Sequence, residues 1–306
     1  MVPVGIHGPG ALEMKTVLVV GATGNIGKEI VAELARLGEV NIVAGSRDVA
    51  RAREQFQDRH EVRVVELDTE RPDTLRPALQ GVDTVLQVNP MSPAMVQQAR
   101  ALVEAARQAG VGHLVRSSLM GAGEPEPISE AVWHGDADQV FADSGIPFTL
   151  LRPNQYFQNF ISARNNQTIR TQGFIALPLG TSRVSNIDTR DIAEIAARVA
   201  LASGTEHHGK AYVLTGTEAS TMAEVAQAMG EALGKPVSYV AVEPEKFRTA
   251  LLGAGLPPLI VDAIAGWFAY CRAGRAERVT GDAQRLLGRA PRSPLQFARD
   301  HVAHWR

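Results

Sequence analysis

Cysteine is nearly missing from this chain. Cys271 is the only one among 306 residues. No disulfide can close within the chain and no cysteine-based metal site can exist, so a reducing cytoplasm is the expected compartment. Basic runs are missing too. With a formal net charge of −2, the chain offers no concentrated positive face, and nucleic acid is not an expected partner. No apolar stretch approaches the length of a membrane span, so no membrane association is expected. Residues 1–10 hold two prolines and three glycines but neither the basic nor the apolar region of a signal peptide. Residues 1–13 are expected to form a disordered extension ahead of the fold. His207 and His208 are adjacent but come with no carboxylate–histidine motif, so no metal site is expected.

What is present is an ordinary globular composition, 45% apolar and 21% charged, able to fill a core. The most specific segment is the apolar run Val17-Leu18-Val19-Val20 leading into Gly21-Ala22-Thr23-Gly24-Asn25-Ile26-Gly27. A helical pattern follows directly, with Ile26, Ile30, Val31, Leu34 and Leu37 on one face. Strand, glycine turn and helix in this order open a dinucleotide-binding βαβ unit. Gly21 permits a sharp turn, Gly24 admits a pyrophosphate close to the backbone, and Gly27 lets helix and strand pack tightly. The helix N-terminus then presents free N–H groups and a positive dipole end to phosphate, with Thr23, Asn25 and Ile26 in the same loop. A dinucleotide cofactor and redox chemistry are the expectation.

Apolar runs and helical patterns alternate through the first half of the chain. Strands are expected at 16–20, 40–44, 62–66, 82–88, 112–117 and 147–151, and helices at 26–37, 48–57, 71–79, 93–109 and 129–144. This predicts an α/β fold, a Rossmann doubly wound parallel sheet with helices on both faces. After residue 152 helices dominate and strands shorten, which predicts a smaller C-terminal substrate lobe. A capped helix beginning at Asp188 or Thr189, strands at 211–215 and 237–242, and a capping box at Thr221 and Glu224 are expected there. The boundaries are 14–152 for the dinucleotide domain and 153–306 for the mainly substrate-binding lobe, with 185–215 returning to the first domain.

In such sheets ligands bind beyond the C-terminal strand ends. No acid stands at the end of the second strand, where NAD readers hold the ribose 2′-OH. Ser46 and Arg47 stand there instead, and an Arg fork with a hydroxyl suits a 2′-phosphate. NADP(H) is therefore expected, although Asp48 is one residue away from the ribose position. Asp68 follows the third strand and either accepts the adenine amino group or caps the helix near residue 71. Asn89 and Pro90 follow the fourth strand beside the adenine-side ribose. Ser117 and Ser118 follow the fifth, near the nicotinamide.

These motifs, together with the block Ser144-Gly145-Ile146-Pro147-Phe148-Thr149-Leu150-Leu151-Arg152-Pro153-Asn154-Gln155-Tyr156-Phe157-Gln158-Asn159 and the later Asn186-Ile187-Asp188-Thr189-Arg190-Asp191, resemble the NmrA-like, atypical short-chain dehydrogenase/reductase family. The resemblance is greatest to its branch of quinone and triphenylmethane-dye reductases. It implies a Rossmann domain, NADP(H) and a substrate lobe over the nicotinamide. Some members reduce quinones, dyes or phenylpropanoid-like molecules, while others resemble redox sensors that bind the dinucleotide without turnover. The expected function is thus an NADPH-dependent reductase of a conjugated aromatic acceptor, with a redox sensor as the alternative. A small-molecule substrate and a monomer or homodimer go with the first.

None of the four tyrosines, Tyr156, Tyr212, Tyr239 and Tyr270, has Lys four residues later. Carbonyl reduction by a Tyr-x-x-x-Lys pair is excluded, because no Lys is placed to lower the phenol pKa. Isoflavone-reductase-like members place a Lys twelve residues ahead of the block's Ile, and His134 stands there in this chain, as in resembling quinone reductases. With an ordinary pKa its imidazole suits proton transfer near neutrality, or it bonds the nicotinamide or ribose. Pro153, Asn154, Gln155, Tyr156 and Phe157 are expected beside the nicotinamide, with Tyr156 joining His134 as a catalytic candidate. Of Tyr156 and Phe157, one is expected to wall the pocket and the other to join the lobe core. Met91, Met120, Trp133, Phe160 and Trp267 are further candidate pocket liners. No motif implies flavin.

Overall fold

Strand and helix alternate from Lys15 onward in the computed structural model, which describes residues 14–125, 128–161 and 163–306. The expected N-terminal extension, 1–13, lies outside the described residues. The first half runs β1 (Lys15–Val20), α1 (Gly27–Leu37), β2 (Val40–Ser46), α2 (Val49–Gln55), β3 (Val62–Glu66), α3 (Pro72–Ala78), β4 (Thr84–Val88), α4 (Met95–Ala109), β5 (His113–Ser117), α5 (Ser129–Ala142) and β6 (Phe148–Pro153). The second half runs α6 (Ala163–Gln172), β7 (Phe174–Leu177), β8 (Arg183–Val184), α7 (Thr189–Leu201), β9 (Lys210–Leu214), β10 (Ser220–Thr221), α8 (Met222–Leu233), β11 (Ser238–Ala241), α9 (Pro244–Gly253), α10 (Pro258–Arg272), α11 (Asp282–Leu287) and α12 (Pro294–Asp300).

Seven strands form one parallel sheet in the order β3-β2-β1-β4-β5-β6-β9. The chain reverses direction across the sheet between β1 and β4, which opens a crevice at their C-terminal ends. The expected strands match to within one or two residues; β4 and β5 start later because Val82 and Gly112 belong to the turns before them. β9 joins the sheet edge beside β6, in register from Thr149 against Lys210 to Pro153 against Leu214. Four further strands form two small pairs, β11 with β7 and β10 with β8.

Each face of the sheet is covered by helices whose apolar stripe points inward. Ile30, Val31 and Leu34 of α1 join Ile192, Ile195 and Val199 of α7 on one face. Leu102 of α4 and Phe141 of α5 lie in the core of the other. Each such aliphatic side chain contributes about 1.5–3 kcal/mol by leaving water. A third core, built around Phe157, Phe160, Phe297 and Trp305, holds the C-terminal lobe together. Asp188 caps α7 by accepting from the Arg190 N–H, and Thr221 and Glu224 form the expected capping box on α8.

The glycine turn is packed as its sequence requires. Gly21 has φ of +75°, and a Cβ there would meet the Val88 carbonyl oxygen at 2.2 Å. A Cβ on Gly27 would lie 2.1 Å from the Gly21 carbonyl oxygen. Both obstacles are backbone, which cannot swing aside. Gly27→Ala is expected to lose about 1–3 kcal/mol to overpacking, whereas Gly253→Ala, with nothing within 4 Å of its Cβ, is expected to be neutral or slightly stabilising. Urea unfolding of the two variants checks this; equal stability would remove the packing argument.

Candidate active site

The glycine turn and the C-terminal ends of the central strands open into one cavity of about 970 Å³ that continues into the C-terminal lobe. At the turn it is lined by Gly21, Thr23, Gly24, Asn25 and Ile26. Gly27 lies behind this wall, packed against Gly21. The N-terminus of α1 carries no side-chain cap, so its dipole end faces the cavity uncovered. Ser46 and Arg47 line the cavity beyond β2. Asp48 also reaches its rim, but its carboxylate accepts from the Arg51 N–H at 3.0 Å and caps α2. Arg51, one helical turn beyond Arg47, lines the same end and is a residue that the sequence reading passed over.

Asp68 does not line the cavity; Leu67 and Thr69 do. The Asp68 carboxylate accepts from the Glu70 N–H at 3.0 Å, folding it into a local turn, and α3 begins without a side-chain cap. Asp68 therefore does not cap α3, the second of the two roles expected of it. Asn89 and Pro90 line the wall after β4, and Ser117 and Ser118 the wall after β5. Pro153, Asn154, Gln155 and Tyr156 follow β6 along the same cavity. The Asn154 amide is committed inward, donating to Ser185 Oγ at 2.7 Å and to the Ala276 carbonyl at 2.8 Å. It therefore offers a ligand wall surface and no free donor.

Beneath these residues lies a fully buried guanidinium, Arg116 of β5. It donates to Asp138 Oδ1 of α5 at 3.0 Å, to Gln87 Oε1 of β4 at 2.7 Å and to Asn89 Oδ1 at 3.3 Å, and reaches Met95 Sδ at 3.0 Å. The other Asp138 oxygen accepts from Ser118 Oγ at 2.8 Å and from Arg152 Nη2 of β6 at 3.0 Å. Arg116 Nη2 also lies 3.4 Å from His134 Nδ1. A guanidinium can only donate, so Nδ1 is the acceptor and the imidazole proton sits on Nε2. Burial, reinforced by the Arg116 charge, pushes the His134 pKa down to about 3. His134 lines the cavity as a neutral hydrogen-bond donor. The expectation of a near-neutral pKa is thus corrected, because the charged form would lose its hydration beside a fixed cation.

The lobe end of the cavity is largely apolar. Met91, Ile264, Trp267 and Phe268 line it with Phe247 and Leu251 of α9. Met120 and Phe160 are core residues and Trp133 packs against the core under the sheet, so three of the five candidate liners fill the interior. Tyr156 lines the cavity, while Phe157 is buried and stacks on Phe297 at 5.1 Å. Trp267 Nε1 donates to Gln155 Oε1 at 3.2 Å, fixing the indole across the site. Burial, then the neighbouring Glu130 carboxylate, raise the Tyr156 phenol above its ordinary pKa. Glu130 itself, in the first turn of α5, lines the cavity, and burial pushes its carboxyl up to about 7. The sequence reading missed Glu130, since an acid in the first turn of a helix is the ordinary complement of the helix dipole. Its spacing of four from His134, which puts both on one helix face, was the available signal.

A parallel sheet of this order, with an uncapped glycine turn opening onto a cavity polar at one end and apolar at the other, defines a Rossmann dinucleotide-binding protein without the Tyr-x-x-x-Lys pair. The chain belongs to the NmrA-like family, whose sequence profile matches residues 13–278. The NAD(P)H azoreductase of Xenophilus azovorans is 37% identical over 287 residues, covering 94% of this chain and 98% of that protein. Quinone oxidoreductase 2 of Escherichia coli is 29% identical over 290 residues, covering 94% and 98%. Among solved structures, the NADPH-dependent quinone oxidoreductase of E. coli complexed with NADPH matches with a TM-score of 0.81 at 27% identity, covering 94% of this chain and 99% of that one. The Citrobacter triphenylmethane reductase complexed with NADP(H) gives 0.78 at 26% identity, covering 94% and 99%.

The network under the site generates a stability test. Asp138→Ala leaves the Arg116 charge buried without its carboxylate, which is expected to cost about 3–5 kcal/mol. Equilibrium unfolding in urea reads this directly; a variant as stable as the parent would show that Gln87 and Asn89 suffice to hold the guanidinium.

Proposed function

We propose that this chain is an NADPH-dependent reductase of quinones, dye-like molecules or other conjugated aromatic acceptors. The observation that carries this is the single cavity joining the glycine turn to an apolar lobe wall. A dinucleotide and a flat acceptor fit end to end in such a space, which a sensor with no second ligand does not need. The names of the relatives support the same reading, since they include an azoreductase and NADPH-dependent quinone and dye reductases.

The residues present fit NADP(H). Gly24 lacks a Cβ where the pyrophosphate would approach, and the bare N-terminus of α1 supplies the positive end. Thr23, Asn25 and Ile26 would hold the same group. Ser46, Arg47 and Arg51 would take a 2′-phosphate, Arg47 and Arg51 by charge-assisted forks. Asn89 and Pro90 would flank the ribose, and Ser117, Ser118 and Pro153 the nicotinamide. Bound NADPH supplies the hydride; the protein supplies binding, orientation and electrostatics. His134 would donate through Nε2 to the carboxamide or to an acceptor oxygen, and Tyr156 and Trp267 would flank the acceptor ring. In this reading residues 14–152, with 185–215, form the dinucleotide domain and 153–306 mainly the substrate lobe. A cytoplasmic setting accords with the single buried cysteine.

Titration with each cofactor, followed by NADPH oxidation against quinones, azo dyes and triarylmethane dyes, tests the reading. Tight NADPH binding with no turnover on any of them would favour the sensor. For Arg47→Ala, loss of one charge-assisted contact of about 1.5–3 kcal/mol predicts NADPH affinity falling roughly ten- to hundred-fold, with NADH affinity little changed. Equal loss for both cofactors would sink the 2′-phosphate assignment.

A further inference from the structure

We propose that Glu130 is the proton donor to acceptors whose reduction consumes a proton. The inference rests on the reductase reading and adds a residue to it. Glu130 and His134 stand four apart on α5 and line the same cavity. Glu130 is half-buried as a residue, at the start of α5. Among the described residues, no hydrogen-bond donor and no cation reaches that carboxyl. A carboxyl in a largely apolar cavity with no partner holds its proton, and a held proton facing an acceptor is a deliverable one.

The other titratable groups facing this end do not compete. His134, on the same helix, is already neutral, and its remaining Nε2 proton is far too weakly acidic to give up. Tyr156, after β6, has its phenol pushed upward by burial and by Glu130. Lys246 of α9 stands at the exposed rim. The wall contributed by α10, which packs on α5, is Ile264, Trp267 and Phe268, and α4 contributes the amide Gln98. Arg116 is held behind His134 by Asp138 and Gln87.

The chemistry balances. A quinone becomes a quinol by gaining one hydride, from the nicotinamide cofactor, and one proton. The Glu130 O–H bond breaks as an O–H bond forms on the quinone oxygen. The resulting carboxylate regains its proton from solvent. An azo bond going to a hydrazo bond has the same balance, with nitrogen taking the proton. A cationic triarylmethane dye differs: its central carbon gains the hydride and becomes the neutral leuco form with no proton consumed.

Two measurements decide it. The first uses the protein without cofactor, labelled with 13C-glutamate, and follows carboxyl C=O absorption in the infrared as pH is raised. A protonated band that titrates near pH 7 and is missing in Glu130→Gln is expected; a Glu130 that ionises in the ordinary carboxylate range overturns the proposal. The second compares a quinone with a cationic triarylmethane dye. The acid form is the active one, so quinone kcat should hold below about pH 7 and fall as pH rises through it, a limb absent with the dye. In Glu130→Gln, which keeps the size and neutrality of the acid, the quinone limb should vanish and the quinone-to-dye ratio of kcat should fall roughly 10²-fold. Glu130→Asp should restore part of it. An unchanged ratio, or a quinone limb that persists in Glu130→Gln, overturns the proposal. A parent protein that binds NADPH but reduces no acceptor overturns the reductase reading itself, and the infrared titration distinguishes that failure from an ordinary Glu130.

Discussion

The structure around the site depends on one buried charge. Arg116 leaves water completely at the C-terminal end of β5, and a guanidinium there is tolerable only if its donors are met. They are met by Gln87 Oε1 of β4, Asp138 Oδ1 of α5 and the side-chain Oδ1 of Asn89 after β4. Asp138 in turn gathers Ser118 and Arg152, so one carboxylate ties β5, β6 and α5 together under the cavity floor. Replacing the pair by apolar residues of equal volume can keep such a fold stable. What apolar residues cannot do is orient His134. The guanidinium fixes which imidazole nitrogen carries the proton and forbids a second charge beside it.

That constraint inverts the usual order of acidity. In water an imidazolium holds its proton to higher pH than a carboxyl does. Here the imidazole gives its extra proton up by about pH 3, while the carboxyl one helical turn away keeps its own to about pH 7. Burial acts on both, and it favours the neutral form of each. The Arg116 charge adds to burial for His134, whereas Glu130 has burial alone. Two groups that would exchange a proton in water thus face the cavity as two neutral donors, a pattern by which acid and base roles are assigned from environment.

The sheet was legible because parallel strands buried on both faces read as unbroken apolar runs, as Val17–Val20 and Ile42–Ala44 do. The pairs β7–β11 and β8–β10 were not fully legible: two to four residues carry no periodicity that separates strand from loop. The glycine turn was readable residue by residue, since its demands are steric and local. Side chains of the cavity wall were less so. Phe160 and Met120 differ from Trp267 only in which way the lobe folds over them, and that is decided by contacts far along the chain. Asp68 and Asp48 were ambiguous for another reason. A carboxylate serves a backbone N–H of its own turn as readily as a ligand, and both are taken up locally. Glu130 was hidden by looking ordinary at a helix start.

The absence of a Lys partner for tyrosine then has a structural consequence beyond exclusion. In a Tyr-x-x-x-Lys site a cation pulls the phenol pKa down toward use as an acid. At Tyr156 the forces act the other way, burial first and a carboxylate second. The phenol becomes a better fixed wall and a poorer acid, so any proton has to come from a different group. The charge map follows from this division. Cations gather at the β2 end, at Arg47 and Arg51, where a phosphate would sit. The acceptor end keeps His134 and Tyr156 uncharged near neutrality, and Glu130 uncharged below about pH 7. A site neutral at that end neither repels a cationic aromatic ring nor demands one, so shape and stacking against Trp267 and Tyr156 do the selecting there. Breadth of acceptor is what a neutral, aromatic-walled cavity over a strictly charged cofactor end would produce.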